Sequence, residues 1–123
     1  MLESASVVAF VPTTDLGRAR DFFGGVLGLP LRSEDGFACV FDAAGTPLRV
    51  NLVEQLTPAP YTILGWTVPD AGAAARALTE RDVEVLRIDG IGQDEDGVWT
   101  APGGARVVWF HDPDGNTLSV TQD

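Results

Sequence analysis

Cysteine is nearly absent from this sequence, because Cys39 is the only one among 123 residues. A single thiol excludes a disulfide within the chain and every zinc site that is built from several cysteines. Cys39 lies in the apolar run 37–41, so we expect a buried, unreactive thiol rather than a nucleophile. Histidine is equally scarce, since His111 stands alone, and one chain cannot supply a site made of several imidazoles.

Positive charge is also scarce. All eight basic residues are arginines, against eighteen acids, which gives a formal net charge of −10. Such a chain lacks the basic patch that phosphate backbones require, so we expect neither nucleic acid nor a membrane as a partner. The acidic excess favours cationic ligands through electrostatic steering, but it is also typical of an ordinary soluble surface.

Long hydrophobic runs are missing. No apolar stretch approaches the roughly 20 residues that span a bilayer, and the N-terminal residues lack the basic and apolar regions of a signal peptide. Together with the lone cysteine, these features predict a cytoplasmic protein. The length predicts a single domain over residues 1–123, large enough for its own hydrophobic core.

What the sequence does contain is an internal repeat. Asp15 and Asp70 each follow an apolar run and open a helical pattern, and they lie 55 positions apart. Each half then closes with a strand–turn–strand, the turns being centred on Gly45 and Gly115. We therefore predict module one at about 5–54, a proline-containing linker at about 55–60 and module two at about 61–123.

Each module is predicted to have the order β-α-β-β-β, an α+β architecture. The aspartates are good N-caps for helices running to about Val26 and Arg81. In module one the predicted strands are 6–11, 31–33, 37–41 and 48–53. In module two five strands are predicted, one more than this order contains: 62–68, 83–88, 98–101, 106–110 and 117–121.

Two motifs carry a resemblance to a known family. Residues 15–29, with Asp-Leu, Arg-Ala, Phe-Phe and Leu-Gly-Leu, resemble the opening signature of the vicinal oxygen chelate superfamily. Residues 110–116, Phe-His-Asp-Pro-Asp-Gly-Asn, resemble its closing signature. This superfamily includes glyoxalase I, extradiol dioxygenases and bleomycin-resistance proteins. The resemblance implies paired βαβββ modules that form incomplete barrels around a shared cleft, and commonly a homodimer, but one fold hosts many activities.

The resemblance also implies where a metal would be held. Its metal-dependent members take one ligand about seven residues before the aspartate that opens each helix. They take another four residues after each turn glycine. These positions correspond here to Val8, Arg49, Ile63 and Ser119. Aliphatic side chains have no lone pair and a guanidinium is no acceptor, so we expect no bound metal, and we expect no other cofactor.

Other side chains are candidates for contact with a ligand. Arg49 and Asn51 share one face of a predicted strand, as do Thr117, Ser119 and Thr121 of the equivalent strand in module two. Arg49 is either an anion anchor or a surface arginine paired with an acid. We predict that six residues contact a ligand: Arg49, Asn51, Trp99, Trp109, His111 and Ser119.

Several alternatives stay open at this point. Trp66 is a weaker candidate than Trp99 or Trp109. Strand alternation alone does not say which face of the sheet lines the cleft. His111 is either a hairpin-end residue hydrogen-bonded to Asp112 or backbone, or a general base. The acidic loop 94–96 is either solvated or a clamp for a cationic ligand.

The sequence favours a metal-free protein that binds a small molecule, an antibiotic or a metabolite, in the cleft, with no catalytic residue assigned. The resemblance to bleomycin-resistance proteins implies that it acts by sequestration. One rival is an enzyme of the superfamily, a lyase, isomerase or dioxygenase. The other is a regulatory interaction module with a vestigial cleft.

Overall fold

The computed structural model describes residues 1–123, which form two compact units, Met1–Thr57 and Pro58–Asp123. The first unit contains module one and the second contains module two. Neither module has a helix with the length and apolar character needed to cross a membrane.

Module one is a four-stranded sheet with one helix. Its elements in chain order are β1 (Ala9–Thr13), α1 (Leu16–Arg20), β2 (Leu31–Glu34), β3 (Ala38–Ala43) and β4 (Thr46–Leu52). The strand order is β1-β4-β3-β2, with β1 parallel to β4 and the other neighbours antiparallel. The first strand therefore begins and ends later than the predicted 6–11, because pairing starts at Ala9 opposite Leu48.

The helix begins where the sequence predicts. Asp15 has an extended backbone and its carboxylate accepts a hydrogen bond from the Arg18 N–H at 3.0 Å, which satisfies one of the free donors of the first turn. From Asp21 to Val26 the helix continues with π geometry, and the Leu27 N–H donates to the Phe22 carbonyl at 2.9 Å. Gly24 and Gly25 lie in this π segment.

The helix covers one face of the sheet. Alternate residues of β3 and β4 point to it and are fully buried: Cys39, Phe41, Leu48 and Val50. Phe23 from the π segment packs on Phe41 with ring centroids 6.0 Å apart. The side chains of the residues between these, which include Arg49 and Asn51, therefore lie on the sheet face that this helix does not cover.

Module two repeats this architecture. Its elements are β5 (Thr62–Thr67), α2 (Ala71–Glu80), β6 (Trp99–Thr100), β7 (Arg106–His111) and β8 (Thr117–Gln122). The strand order is β5-β8-β7-β6, with β5 parallel to β8. Each module thus has the predicted β-α-β-β-β order, and the α+β fold class is confirmed.

One predicted strand is wrong. Residues 83–88 form no strand, and only an isolated bridge joins Val85 to Phe110. The reason is local: the Gln93 side chain accepts from the Ile88 N–H at 2.7 Å and donates to the Leu86 carbonyl at 2.8 Å. The Gln93 side chain thus forms hydrogen bonds with two backbone groups that would otherwise be available to a neighbouring strand.

The core of module two lies between α2 and the sheet. Its buried residues come from β7, β8 and the inner face of α2: Val108, Phe110, Leu118, Val120, Ala71, Ala75 and Leu78. Trp66 stacks on Phe110 with ring centroids 6.4 Å apart, so this tryptophan belongs to the helix-covered side.

The turn between β7 and β8 is held by a buried carboxylate. Asp112 is 5% exposed and accepts hydrogen bonds from the backbone N–H groups of Asp114 and Asn116, at 3.0 and 2.9 Å. The Asn116 side-chain amide donates a third bond at 2.8 Å. Gly115 supplies the positive φ of 86° that the turn requires.

Candidate ligand-binding site

In each module the sheet has one face covered by its helix and one face that is not, and we call the second the open face. The open face of module one has Arg49 near its centre. Arg49 lies opposite Phe10 of β1 on one side and opposite Val40 of β3 on the other. Asn51 lies two positions along the same strand, between Pro12 and Ala38. Arg49 and Asn51 are thus brought together on one surface, as the alternation predicts.

Arg49 is distinguished by having no partner. It is partly buried, yet it makes no hydrogen bond and no ion pair within the chain. The other seven arginines all contact an acceptor, such as Glu34 for Arg20, Asp42 for Arg32 and Asp96 for Arg76. The alternative prediction, a surface arginine paired with an acid, is therefore wrong for Arg49.

The charge of Arg49 affects the pKa of one nearby acid, Asp35. The pKa of the Asp35 carboxyl is lowered, first by hydrogen bonds from the backbone N–H groups of Phe37 and Ala38, and to a smaller extent by the field of Arg49. The two N–H groups lie 2.8 and 2.9 Å from Asp35 Oδ1. The carboxylate is thus engaged by the β2–β3 turn and forms no contact ion pair with Arg49.

The open face of module two is aromatic. Trp109 of β7 lies opposite Ser119 of β8, and Trp99 of β6 lies opposite Val107. Because positions 107, 109 and 119 share a face, both tryptophans lie on it, and their ring centroids are 5.8 Å apart. Trp99, Trp109 and Ser119 are therefore brought together, whereas Trp66 lies on the helix-covered face.

Ser119 is nearly enclosed but has no partner. Its residue is 7% exposed, and its hydroxyl makes no hydrogen bond within the chain. No fully buried side-chain polar atom lacks a partner, so this hydroxyl keeps its contact with solvent at the sheet surface. Gly65 lies directly beside it in β5, and a Cβ added at position 65 would be 3.0 Å from Ser119 Oγ. Glycine at this position thus leaves the space next to the hydroxyl open.

His111 lies at the end of the same face, opposite Thr117, and is exposed. It makes no hydrogen bond to Asp112, whose carboxylate accepts from the backbone and side chain of Asn116 and the backbone of Asp114 instead. The exposed hairpin-end position predicted for His111 is thus observed, but the side chain makes no hydrogen bond to Asp112 or to backbone. The imidazole is free to meet a ligand on the side of the sheet that carries Trp109.

The four positions that correspond to metal ligands do not fit a metal. Val8 lies before β1 and is 42% exposed, and the β1 residue beside Arg49 is Phe10. Ile63 falls at an irregularity of the β5–β8 pairing, and the β5 residue beside Ser119 is Gly65. Neither Phe10 nor Gly65 has a side-chain atom that could donate an electron pair to a metal. The hydroxyl of Ser119 is the one acceptor in the set, and a divalent transition metal needs several stronger donors.

The same conclusion holds for the chain at large. No three histidine, cysteine, aspartate or glutamate side chains come close enough together to hold a metal ion. Phe10 and Gly65 are open-face residues that the sequence analysis did not single out. They could have been found by extending the alternation two positions beyond Val8 and Ile63, towards the helix.

The acidic loop 94–96 forms hydrogen bonds and an ion pair within module two. Asp94 Oδ1 accepts from the N–H groups of Asp96 and Val98, both at 2.9 Å. Asp96 pairs with Arg76 at 3.0 Å, and Arg87 donates to the carbonyls of Asp94 and Glu95. The loop is thus tied to the rest of module two by arginines rather than free to clamp a cation.

A groove of about 590 Å³ lies beside this loop. It is lined by α2 and the segment after it, with Arg76, Glu80, Asp82, Glu84, Arg87 and Glu95 among its residues. Its two arginines already have partners, in contrast to Arg49. The open faces are therefore the better candidates for ligand binding.

Comparisons with known proteins agree with this architecture. The family model for the glyoxalase/bleomycin resistance protein/dioxygenase superfamily matches residues 5–120. A comparison with proteins of curated function gives no match.

Solved structures resemble the fold closely at low sequence identity. A superfamily member from Sphaerobacter thermophilus DSM 20745 has a TM-score of 0.77 and 22% identity, with 100% of each chain covered. The lactoylglutathione lyase of Agrobacterium tumefaciens has a TM-score of 0.75 and 17% identity, covering 97% of this chain and 93% of that one. A glyoxalase family protein from Enterococcus faecalis has a TM-score of 0.75 and 16% identity, with 98% and 99% covered. With the family match spanning nearly its whole length, this chain belongs to the glyoxalase/bleomycin resistance protein/dioxygenase superfamily.

Proposed function

We propose that this chain is a metal-free protein that binds a small organic molecule, an antibiotic or a metabolite, on its open sheet faces and acts by sequestering it. The proposal rests on which residues occupy the four positions that correspond to metal ligands in the metal-dependent members of the superfamily. Val8, Ile63 and Arg49 have no lone pair to donate to a metal, and Ser119 alone cannot hold one. Chemistry that runs through a bound metal therefore has no support in these residues.

The open faces supply what a binding surface needs. On the open face of module two, Trp99 and Trp109 offer aromatic contact area beside Ser119. On the open face of module one, Arg49 and Asn51 lie beside the apolar Phe10. The polar side chains on both faces make no hydrogen bonds inside the chain. Ligand sites commonly combine such apolar walls with a few polar groups that fix orientation. Polar side chains that are left unsatisfied by the fold support a role in contacting something outside it.

A thermal-shift screen of small molecules, carried out after chelation and dialysis, tests the proposal. Binding to the native state at about 100 times Kd adds about 2.7 kcal/mol to the free energy of unfolding, so a true ligand raises the unfolding midpoint without metal. Trp109→Ala, which removes aromatic surface from the open face of module two, should weaken the shift for a ligand bound there. Phe37→Ala is the matched control, because Phe37 is a strongly exposed aromatic in a turn.

The rival hypothesis is a metal-dependent enzyme of the superfamily. Elemental analysis of protein produced in medium supplemented with zinc, iron, nickel and manganese separates the two. We expect less than stoichiometric metal and unchanged ligand shifts after chelation. Stoichiometric metal, or ligand shifts that return only when a metal is added back, would contradict the proposal.

A homodimer and a cytoplasmic location complete the proposal. Two apolar residues before β1, Val7 and Val8, are 74% and 42% exposed within the chain, which supports contact with a second copy. Light scattering at micromolar concentration should give twice the chain mass of 13.0 kDa, and a monomer would contradict it. The lone buried thiol of Cys39 supports a reducing compartment.

A further inference from the structure

The side chain of Arg49 raises a specific question about the ligand. A guanidinium keeps its charge at any pH that a protein survives, and taking it partly out of water without a counter-ion costs stability. The chain has eighteen acids and only eight arginines, so partners are plentiful. Arg49 alone among the eight nevertheless makes no hydrogen bond or ion pair, which indicates that its partner comes from outside the fold.

The nearby acids are already in use. Asp35, which senses the charge of Arg49, has its carboxylate held by the N–H groups of Phe37 and Ala38. Asp42, two residues along β3 from Val40, is bound by Arg32 at 3.0 Å. Neither acid neutralises Arg49, and the guanidinium is left available to an incoming anion.

The surroundings of Arg49 define the rest of the ligand. Phe10 lies opposite it in β1 and is 55% exposed, and Val40 lies opposite it in β3. Asn51 adds a neutral amide on the same face, two residues along β4. An anion bound to the guanidinium would therefore have one further hydrogen-bonding group beside it and apolar surface on both sides.

Resting on the proposed function, we infer that the open face of module one binds a small organic carboxylate. Arg49 anchors the carboxylate, Asn51 contributes a further hydrogen bond, and Phe10 and Val40 contact the apolar body. A planar guanidinium matches a carboxylate through two parallel N–H···O bonds, which makes this class of anion the best fit. Where metal-dependent relatives are expected to place an acceptor for a metal, this chain places a cation that binds the ligand directly.

The test compares acids with their uncharged analogues on the metal-free protein. Phenylacetate and indole-3-acetate are titrated beside phenylacetamide and indole-3-acetamide, and binding is followed by the NMR signals of the backbone amides and of the arginine Nε–Hε groups. We expect each acid to bind about 10- to 100-fold more tightly than its amide, as hydrogen bonds to a charged group imply, and to shift the Arg49 signal.

Two variants with the same change in net charge sharpen the result. Arg49→Gln should abolish the preference for acids, whereas Arg32→Gln, in the same sheet but paired with Asp42, should keep it. Arg49→Lys should retain part of the preference, because an ammonium attracts the carboxylate without the bidentate geometry. Arg49→Leu should abolish acid binding and raise the unfolding midpoint of the free protein, since it removes an unpaired charge from between Phe10 and Val40.

The outcomes distinguish this inference from the proposed function. Equal binding of acids and amides, with Arg49→Gln unchanged, would overturn the carboxylate anchor and leave metal-free ligand binding in place. A shift of the Arg49 signal by inorganic phosphate as strong as that by phenylacetate would overturn the assignment to carboxylates. A lower unfolding midpoint in Arg49→Leu would assign Arg49 a structural role instead. Failure of all four probes to bind unless metal is added would overturn both proposals.

Discussion

The rings of Trp99 and Trp109 lie 5.8 Å apart with their planes at 33°, on the open face of module two. Trp99 comes from a strand of only two residues, β6, and Trp109 from the adjacent β7. The contact between the two rings thus joins the short edge strand β6 to β7. The pair also forms an aromatic surface beside Ser119. Aromatic pairs at this distance and tilt contribute about 0.5–1.5 kcal/mol beyond their buried area.

The first prediction is that this pair is visible in solution by circular dichroism. Two indole rings so close together couple electronically and give a pair of far-ultraviolet bands of opposite sign. The couplet should disappear in Trp99→Phe and in Trp109→Phe. It should persist in Trp66→Phe, because Trp66 stacks on Phe110 on the other side of the sheet. A couplet that survives in Trp109→Phe would contradict the arrangement.

The second prediction concerns Gly65 and its contact with Ser119. In Gly65→Ala the new methyl group would lie 3.0 Å from Ser119 Oγ and 3.3 Å from the Ser119 carbonyl oxygen, so the strands must shift slightly. We expect a loss of about 1 kcal/mol in the free energy of unfolding, measured with urea. A ligand that reaches the Ser119 hydroxyl should also bind more weakly, because the methyl group fills the space beside it.

Gly25→Ala is the control for this substitution. A methyl group at position 25, in the π segment, would meet no atom within 4 Å, and the glycine has no positive φ. The change should stabilise the protein by about 0.5–1 kcal/mol, since alanine loses less backbone freedom on folding. Equal effects of the two substitutions would show that the contact at Gly65 does not matter.

The sequence was sufficient to predict the fold because its signals are local and strong. Asp15 and Asp70 both act as N-caps at the helix starts that the sequence predicts. The turns at Gly45 and Gly115 both adopt positive φ, at 96° and 86°. Alternation along β4 and β8 correctly placed Arg49 with Asn51 and placed Ser119 on the side opposite the buried Leu118. These features depend on residues close together in the chain.

Two of the errors concern interactions between residues far apart in the chain, and one concerns a side chain close to the segment it affects. Parallel pairing decides that Phe10, not Val8, lies beside Arg49, and no local pattern encodes that register. Residues 83–88 have the composition of a strand, but the side chain of Gln93 competes for their backbone groups. The absence of an ion pair at Arg49 also depends on where seven other arginines and eighteen acids fall in space. Such facts become visible only in the folded structure.

The third prediction is that Cys39 is inert in the native protein. Its side chain is fully buried on the helix-covered face of module one, and burial raises the pKa of the thiol above its ordinary value of 9.0, with the charge of Glu34 acting in the same direction. Both effects suppress the reactive thiolate. A thiol-reactive chromogenic disulfide should therefore label the protein only as fast as module one opens.

The chain provides its own control for this experiment, because Cys39 is the sole thiol and every labelled molecule reports on it. Labelling in urea should be complete and should proceed at the rate of free cysteine. If the native protein reacted as rapidly as the urea-unfolded protein, the buried position of Cys39 would be wrong.

The last prediction follows from the buried carboxyl of Asp112. Removal from water raises its pKa above the ordinary value of 3.8, although the hydrogen bonds from Asn116 oppose this effect. Between the unfolded and the folded pKa, the folded state holds a proton that the unfolded state has released. The stability that Asp112 confers is therefore greatest below pH 3.8, and it falls as the pH rises through the folded pKa.

Asp112→Asn isolates this contribution, because asparagine does not titrate while all other groups remain the same. Urea unfolding of both proteins from about pH 3 to pH 7 gives the difference between their free energies of unfolding at each pH. We expect the variant to be less stable overall, since an asparagine amide opposes the Asn116 amide that now donates to Asp112 Oδ2. Superimposed on that offset, wild type should lose stability relative to the variant as the pH rises above 3.8, and the difference should become constant once Asp112 is fully ionised. A wild type that gains on the variant with rising pH would mean that the three hydrogen bonds outweigh burial, so that the pKa of Asp112 is lowered rather than raised.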